Sequence, residues 1–219
     1  MISLLNAKIR AVELPYTLRF YGVTEKAFDE LVDEDTRAEL INGMMVIRSH
    51  PSPAHGDLVG FLDAVLGCYT EEKGLGRVFG PDTLVRLANN WKVTPDVLFF
   101  AEDRVPSPLP EWQFEIAPDL VIEVLSPFGA SVELEEKVPA YKEAGIREIW
   151  IADPENQRVL LHRRRRKRYK SILYGDGRLA SQIVPGFWVE MAWLWAEPQP
   201  KVIQGLGELL GRCPLEGNA

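Results

Sequence analysis

Glu123 stands inside the oily run Leu120-Val121-Ile122-Glu123-Val124-Leu125. Burying an unpartnered group there costs roughly 2–7 kcal/mol when it is merely polar and more when it is charged, so the run implies a compensating partner. A metal ion is the foremost candidate. A second run of the same kind, Trp91 to Phe100, carries Pro95-Asp96 among β-forming residues. Two acids delivered by two neighbouring strands are placed to share one divalent cation. The competing reading is structural, with Asp96 capping a turn at a strand end and Glu123 paired with an arginine such as Arg147. Asp119 also follows a proline, but it lies four residues before Glu123. Only Asp96 leaves room for a hairpin between the two acids, so Asp119 reads as a residue at the start of the strand.

The elements that must position these acids follow from local signals. Thr24 caps a short helix from Glu25 to about Leu31, and Asn42-Gly43 turns a hairpin of 38–41 and 44–47, because a type I′ turn requires positive φ angles. Leu58, Leu62, Val65, Leu66 and Tyr69 recur at helical spacing in 54–73, ended by Gly74. Strands are expected over 76–79, 83–87, 93–100 and the Glu123 run, with a proline-rich loop between the last two. Ser131 caps a helix over 132–144 whose acidic first turns suit the positive end of the macrodipole. Pro139 predicts a kink or a late start. Strands over 148–152, 158–162 and 169–174 follow, then a packing segment containing Phe187, Trp188, Trp193, Leu194 and Trp195. Pro198 onward reads as a weakly structured extension with a short helix near 206–210. The chain divides into an N-terminal extension (1–23), one domain (24–196) and a C-terminal tail (197–219).

With 219 residues, 46% hydrophobic and 26% charged, the chain has the composition of a soluble globule with a real core. The net charge of −7 argues against a nucleic-acid coat protein and leaves room for a local basic patch. That patch is Arg163-Arg164-Arg165-Arg166-Lys167-Arg168-Tyr169-Lys170. On an antiparallel pair, strict alternation turns Arg163, Arg165 and Lys167 one way and Arg164, Arg166 and Arg168 the other, so half of the run is available to one phosphate track. The other half is solvated or paired with the surplus acids. Cys68 and Cys213 lack the spacing of a disulfide framework or a zinc knuckle. No run is long enough for a signal peptide or a membrane span. A cytoplasmic protein without a membrane partner is the expectation.

The order of fragments resembles the Uma-type restriction endonuclease family of the PD-(D/E)XK phosphodiesterase superfamily. The resemblance is carried by Glu39-Leu40-Ile41-Asn42-Gly43, Ser52-Pro53-Ala54-His55, Thr94-Pro95-Asp96-Val97-Leu98-Phe99, Ala117-Pro118-Asp119 through Ser126-Pro127, and Glu136-Lys137 through Asp153-Pro154. It spans roughly residues 20–195. It implies a mixed α/β (α+β) fold with a restriction-endonuclease-like core, in which helices flank a mixed central sheet with additional antiparallel strands. It also implies Asp96 and Glu123 as ligands of Mg²⁺ or Mn²⁺. One departure stands out. The superfamily's lysine belongs two residues after the second acid, where this chain has Leu125. Lys137, from the following helix, is the replacement candidate, since it shares a helical face with Leu134 and Tyr141. The bland alternative for Lys137 is an exposed ion pair with Glu133. Glu39 is a candidate third acid or supporting partner, and His55, opening the long helix, a candidate contributor or a capping residue.

The function this implies is metal-dependent hydrolysis of a phosphodiester, with DNA as substrate and a homo-oligomer, dimer or higher, as the working form. Two alternatives remain open at this point. One is a non-catalytic nuclease-fold module that binds a protein or nucleic-acid partner, Leu125 marking a lost centre. The other is a sugar hydrolase with paired carboxylates, for which Trp91 and Trp112 would line a groove. Whether Lys137 reaches the two acids separates an enzyme from a relic.

Overall fold

Asn42 and Gly43 take φ angles of 49° and 78°, the positive pair a type I′ turn needs, and join β2 (Ala38–Ile41) to β3 (Met44–Arg48). The computed structural model describes residues 16–33, 36–126 and 130–212, with the side chains of 130–133 excepted; the Ser131 cap, Glu133 and Cys213 therefore lie outside the described residues. A strand that the sequence does not announce, β1 (Thr17–Tyr21), pairs antiparallel with β3. Helix α1 (Glu25–Leu31) follows, with Thr24 Oγ1 accepting from the Ala27 N–H. With β5 (Val85–Ala88) and β6 (Trp91–Val93), these strands make an antiparallel sheet in the order β1-β3-β2-β6-β5.

The larger sheet is mixed. It runs β11-β10-β9-β8-β7-β4, from β4 (Gly76–Phe79), β7 (Val97–Ala101), β8 (Leu120–Val124), β9 (Glu148–Asp153), β10 (Arg158–Arg165) and β11 (Arg168–Tyr174). Only β8 and β9 are parallel, and such a pair needs a crossover, here helix α3 (Ala130–Glu143). Helix α2 (Pro53–Lys73) precedes β4, with Pro53 in its first turn and Gly74 closing it at φ 59°. The chain ends in a small pair, β12 (Arg178–Ala180) and β13 (Trp188–Glu190), then α4 (Met191–Trp195) and α5 (Val202–Leu209). Helix α5 lies against α2, so part of the expected tail is packed.

Strand alternation sorts the large sheet into two faces. Leu120, Ile122 and Val124 pack with Leu62, Leu66, Trp150 and Phe187 beside α2, while Val121 packs with Tyr141, Ile149 and Ile151 beside α3. Each large side chain so buried contributes roughly 1.5–3 kcal/mol. Glu123 has the parity of Val121 and therefore faces α3. This is the expected mixed α/β sandwich, with two departures. The expected strand 93–100 is cut into β6 and β7, which belong to different sheets. Pro95 lacks the N–H that a continuous ladder would use, so Thr94-Pro95-Asp96 becomes the crossing between them. Helix α3 runs from Ala130 to Glu143 with Pro139 inside it, so the proline does not delay its start. Pro139 and Glu135 are both exposed, so solvent reaches the carbonyl that the missing N–H leaves unpaired.

Candidate active site

The crossing between the sheets brings four elements together: the end of β6, the start of β7, the far end of β8 and the strand pair β2–β3 of the smaller sheet. Asp96 Oδ2 accepts the Val124 N–H at 2.7 Å, which ties the first acid to the residue after the second. Glu123 is buried, and its Oε1 meets Lys137 Nζ at 2.6 Å and the Tyr141 hydroxyl. Lys137 Nζ also lies 3.0 Å from Glu39 Oε1. Glu39 accepts the Thr94 N–H at 2.8 Å through that same oxygen and holds Arg48 at 2.6 Å through Oε2. A continuous chain of charge thus runs Arg48, Glu39, Lys137, Glu123, Tyr141. Lys137 reaches Glu123 and Glu39 directly, and touches Asp96 through its field alone.

The electrostatics follow from that layout. Burial raises the Glu123 carboxyl to about 7; Lys137 opposes this, while Asp96 and Glu39 add to it. Asp96 is raised by burial as well, against the Val124 N–H and the charge of Lys137. Glu39 goes the other way. Burial pushes it up, but Arg48, Lys137 and the Thr94 N–H together hold it down to about 2. For Lys137, burial favours the neutral amine, yet Glu123 and Glu39 outweigh it and raise its pKa, so it is an ammonium at neutral pH. Tyr141 is lifted well above its usual value, first by burial and then by Glu123, and stays a phenol that donates.

His55 is the third residue of α2, where its N–H bonds the capping Ser52 Oγ at 3.2 Å. Its Nε2 lies 3.1 Å from the Val124 carbonyl and 3.5 Å from Asp96 Oδ2. A carbonyl only accepts, so Nε2 carries the proton. Nδ1 is then a buried lone pair, and it has no hydrogen-bond partner among the described residues. Burial and the charge of Arg37 lower the histidine's pKa, against Glu123. A neutral imidazole borders the site.

The residues suit a hard divalent cation. Asp96, Glu123 and the Val124 carbonyl are oxygen donors, and Asp96 Oδ1 and Glu123 Oε2 stand outside the contacts above. Burial raises both carboxyls by disfavouring their charged forms, a cost that a cation in place of a proton would relieve. Among the described residues no three of His, Cys, Asp and Glu form a ready-made cluster. Two carboxylates with water filling the remaining positions is nonetheless an ordinary way to hold Mg²⁺.

Other expectations resolve by position. Leu125 lines an apolar groove with Leu134 and Val138, and the ammonium beside Glu123 comes from the helix at Lys137. Arg147 pairs with Asp119 at 3.3 Å rather than with Glu123, and Asp119 also holds Arg104 and the Ala101 N–H. Asp119 is structural. Tyr141, Arg48 and the Thr94 N–H are the participants that sequence reasoning did not assign; the spacing of Tyr141 four residues after Lys137 was the available signal.

The basic run is elsewhere. Cross-strand pairing sets Arg163 opposite Lys170, Arg164 opposite Tyr169 and Arg165 opposite Arg168, so Arg165 and Arg168 share a face, correcting the strict alternation. The turn at Arg166-Lys167 resets the parity. Arg163 is buried on Glu148, at 3.0 Å, and on the Ala180 carbonyl, which takes it out of the surface set. Arg164 bonds the Gly145 and Arg166 carbonyls. Glu123 is level with Ile151 and Leu160, whereas Leu120 is level with Glu148 and Arg163. The hairpin tip therefore lies five residues along β10 from the level of Glu123, roughly 16 Å toward the opposite end of the sheet.

Comparison with known proteins agrees with this architecture. A family model, Uma2, described as "Putative restriction endonuclease", matches residues 26–192. Among solved structures, four chains match. One is the crystal structure of a putative nuclease belonging to DUF820 from Anabaena variabilis, 20% identical, with a TM-score of 0.71 over 79% of this chain and 97% of that one. At that identity the likeness is one of fold. No curated protein matches.

Proposed function

The chain belongs to the Uma2 family, and from that premise we propose that it is a divalent-metal-dependent DNA endonuclease centred on Asp96, Glu123 and Lys137. The observation that carries this reading is the buried ammonium of Lys137, 2.6 Å from Glu123 on the side of the sheet where Asp96 is tied to Val124. A solvated lysine would make no such commitment. Mg²⁺ or Mn²⁺ bound to Asp96 and Glu123 would supply Lewis acidity and an activated water. The protein does the rest. The Val124 N–H fixes Asp96, and Tyr141 with Lys137 fixes Glu123. Lys137, kept charged by two carboxylates, offers its remaining donor capacity to the phosphoryl oxygen as negative charge grows there. Glu39 holds Lys137 in place, and His55 supports the Val124 carbonyl through its Nε2–H. Burial keeps these charges strong by excluding water.

Cutting both strands of a duplex with one centre per chain calls for a symmetric pair of chains, which sedimentation on duplex DNA would reveal. The deciding assay is nicking of supercoiled plasmid. Wild type should convert plasmid in Mg²⁺ or Mn²⁺ and not in EDTA, with Asp96→Asn and Glu123→Gln inactive. A wild type inert on every DNA form and with both metals would instead mean a nuclease fold kept for binding.

A further inference from the structure

The site is acidic, yet its proposed substrate is a polyanion. Among the described residues, Glu39, Asp96 and Glu123 lie about one buried cation, Lys137. A phosphate backbone approaching that mouth needs positive charge at the rim, and the basic β10–β11 hairpin lies at the other end of the sheet.

The β2–β3 ladder supplies it. Glu39 pairs with Val46 and Ala38 with Ile47. One step further out, Arg37 stands opposite Arg48, whose N–H bonds the Arg37 carbonyl at 3.3 Å. Side chains two apart on a strand share a face, as do cross-strand partners, so Arg37 and Arg48 point the same way as Glu39. That is the face which meets Lys137. Both side chains are about one-third exposed, at 32% and 33%. Arg48 touches Glu39 through Nη2, and Arg37 pairs through Nε with the exposed Asp82 at 2.8 Å. Both charges are felt inside, that of Arg37 at His55 and that of Arg48 at Glu39, Asp96 and Lys137.

From this placement we infer that Arg37 and Arg48 form a phosphate-binding pair at the mouth of the site, holding the nucleic-acid backbone beside the bond to be cut. The inference rests on the nuclease reading above and names where its substrate docks. Each guanidinium presents five donors in a planar fork matched to phosphate oxygens. In the free protein Asp82 occupies part of Arg37, and a phosphate displaces it. Arg48 keeps its hold on Glu39 beside it.

Fluorescence anisotropy on a short duplex in EDTA, over a range of salt, isolates binding from cleavage. Arg37→Gln should weaken affinity about tenfold, the scale of a lost charged hydrogen bond, and reduce the salt slope by about 0.9. Asp82→Asn should tighten binding, since it frees Arg37 of its competitor. In the nicking assay Arg37→Gln should raise KM and leave kcat nearly unchanged, with an unaltered melting curve confirming the fold. Arg37→Gln with wild-type affinity and KM overturns the pair and leaves the nuclease reading standing. So does a loss that follows Arg165→Gln and Arg168→Gln but not Arg37→Gln. A wild type that never nicks but binds duplex through Arg37 retires the nuclease reading and keeps the phosphate site. A wild type with no affinity for DNA overturns both.

Discussion

Two charged regions of this molecule sit at opposite ends of one sheet and behave in opposite ways. At the Glu123 end, Arg48, Glu39, Lys137 and Glu123 are locked by contacts of 2.6 to 3.0 Å, and neighbouring carboxyls are driven apart, Glu39 to about 2 and Glu123 to about 7. At the hairpin end a longer run of like charge stands mostly in water, and only Arg163 has been drawn inside. Density of charge in the sequence says little about its consequence. Low dielectric does, because burial multiplies each interaction and penalises every unpaired group.

The comparison breaks first at Arg163, the member of the run that behaves like the site. Arg163→Ala leaves Glu148 fully buried with only the Trp150 Nε1–H and the Gln182 N–H. Loss of one partner of such a pair costs about 3–5 kcal/mol, which urea denaturation should register. A loss below ~1 kcal/mol would mean that the Trp150 and Gln182 donors satisfy Glu148 without the arginine.

Lys137 tests the other end. Lys137→Ala should lower divalent-dependent nicking by about 10² to 10³-fold, the scale of one preorganised electrostatic stabiliser. Lys142→Ala, one turn on with its ammonium over the Tyr169 ring, should nick like wild type. Equal activity in all three proteins would remove Lys137 from the chemistry.

Between the two ends lies His162 on β10, bonded through Nδ1 to Ser171 Oγ and lowered to about 4 by burial and then by the charge of Lys142. Below its ordinary value of 6.5 the unfolded chain takes up a proton that the folded one refuses. Its contribution is therefore fully present above pH 6.5 and is lost as the pH falls toward 4. Stability should drop by on the order of 2 kcal/mol across that window, and His162→Gln should flatten this part of the melting-temperature profile. An unchanged slope in the variant would assign the loss to other groups. The smallest effect belongs to the exposed tip. Arg165→Ala and Arg168→Ala should each shift stability by less than about 0.5 kcal/mol, and a larger shift would reveal a partner for the tip.

Much of the scaffold was legible locally. The Asn42-Gly43 turn, the Thr24 cap, the helical stripe of 58–69 and the strand around Glu123 depend on residues within a few positions of one another, and all appear where propensity and periodicity put them. The strand expected over 93–100 did not. Its residues are β-forming on either side of Pro95-Asp96, and although Pro95 marks a break, nothing local says that Val93 pairs with Val85 while Val97 pairs with Ile122. Likewise, β1 carries no motif, and its pairing with β3 is a long-range choice.

The sequence alone determined which side chains would be charged inside apolar runs: Glu123 among valines and isoleucines, Asp96 after Pro95, and Lys137 on the face of Tyr141. Tertiary structure alone decided their partners. Lys137 is 98 residues from Glu39 in the chain, and they meet because the crossing at Pro95 sets one sheet against the other. Arg163 and Arg165 differ in nothing a sequence can show, yet one is buried on Glu148 and the other stands in solvent. Propensity and periodicity act over a few residues, whereas pairing and burial are settled by which strands lie side by side.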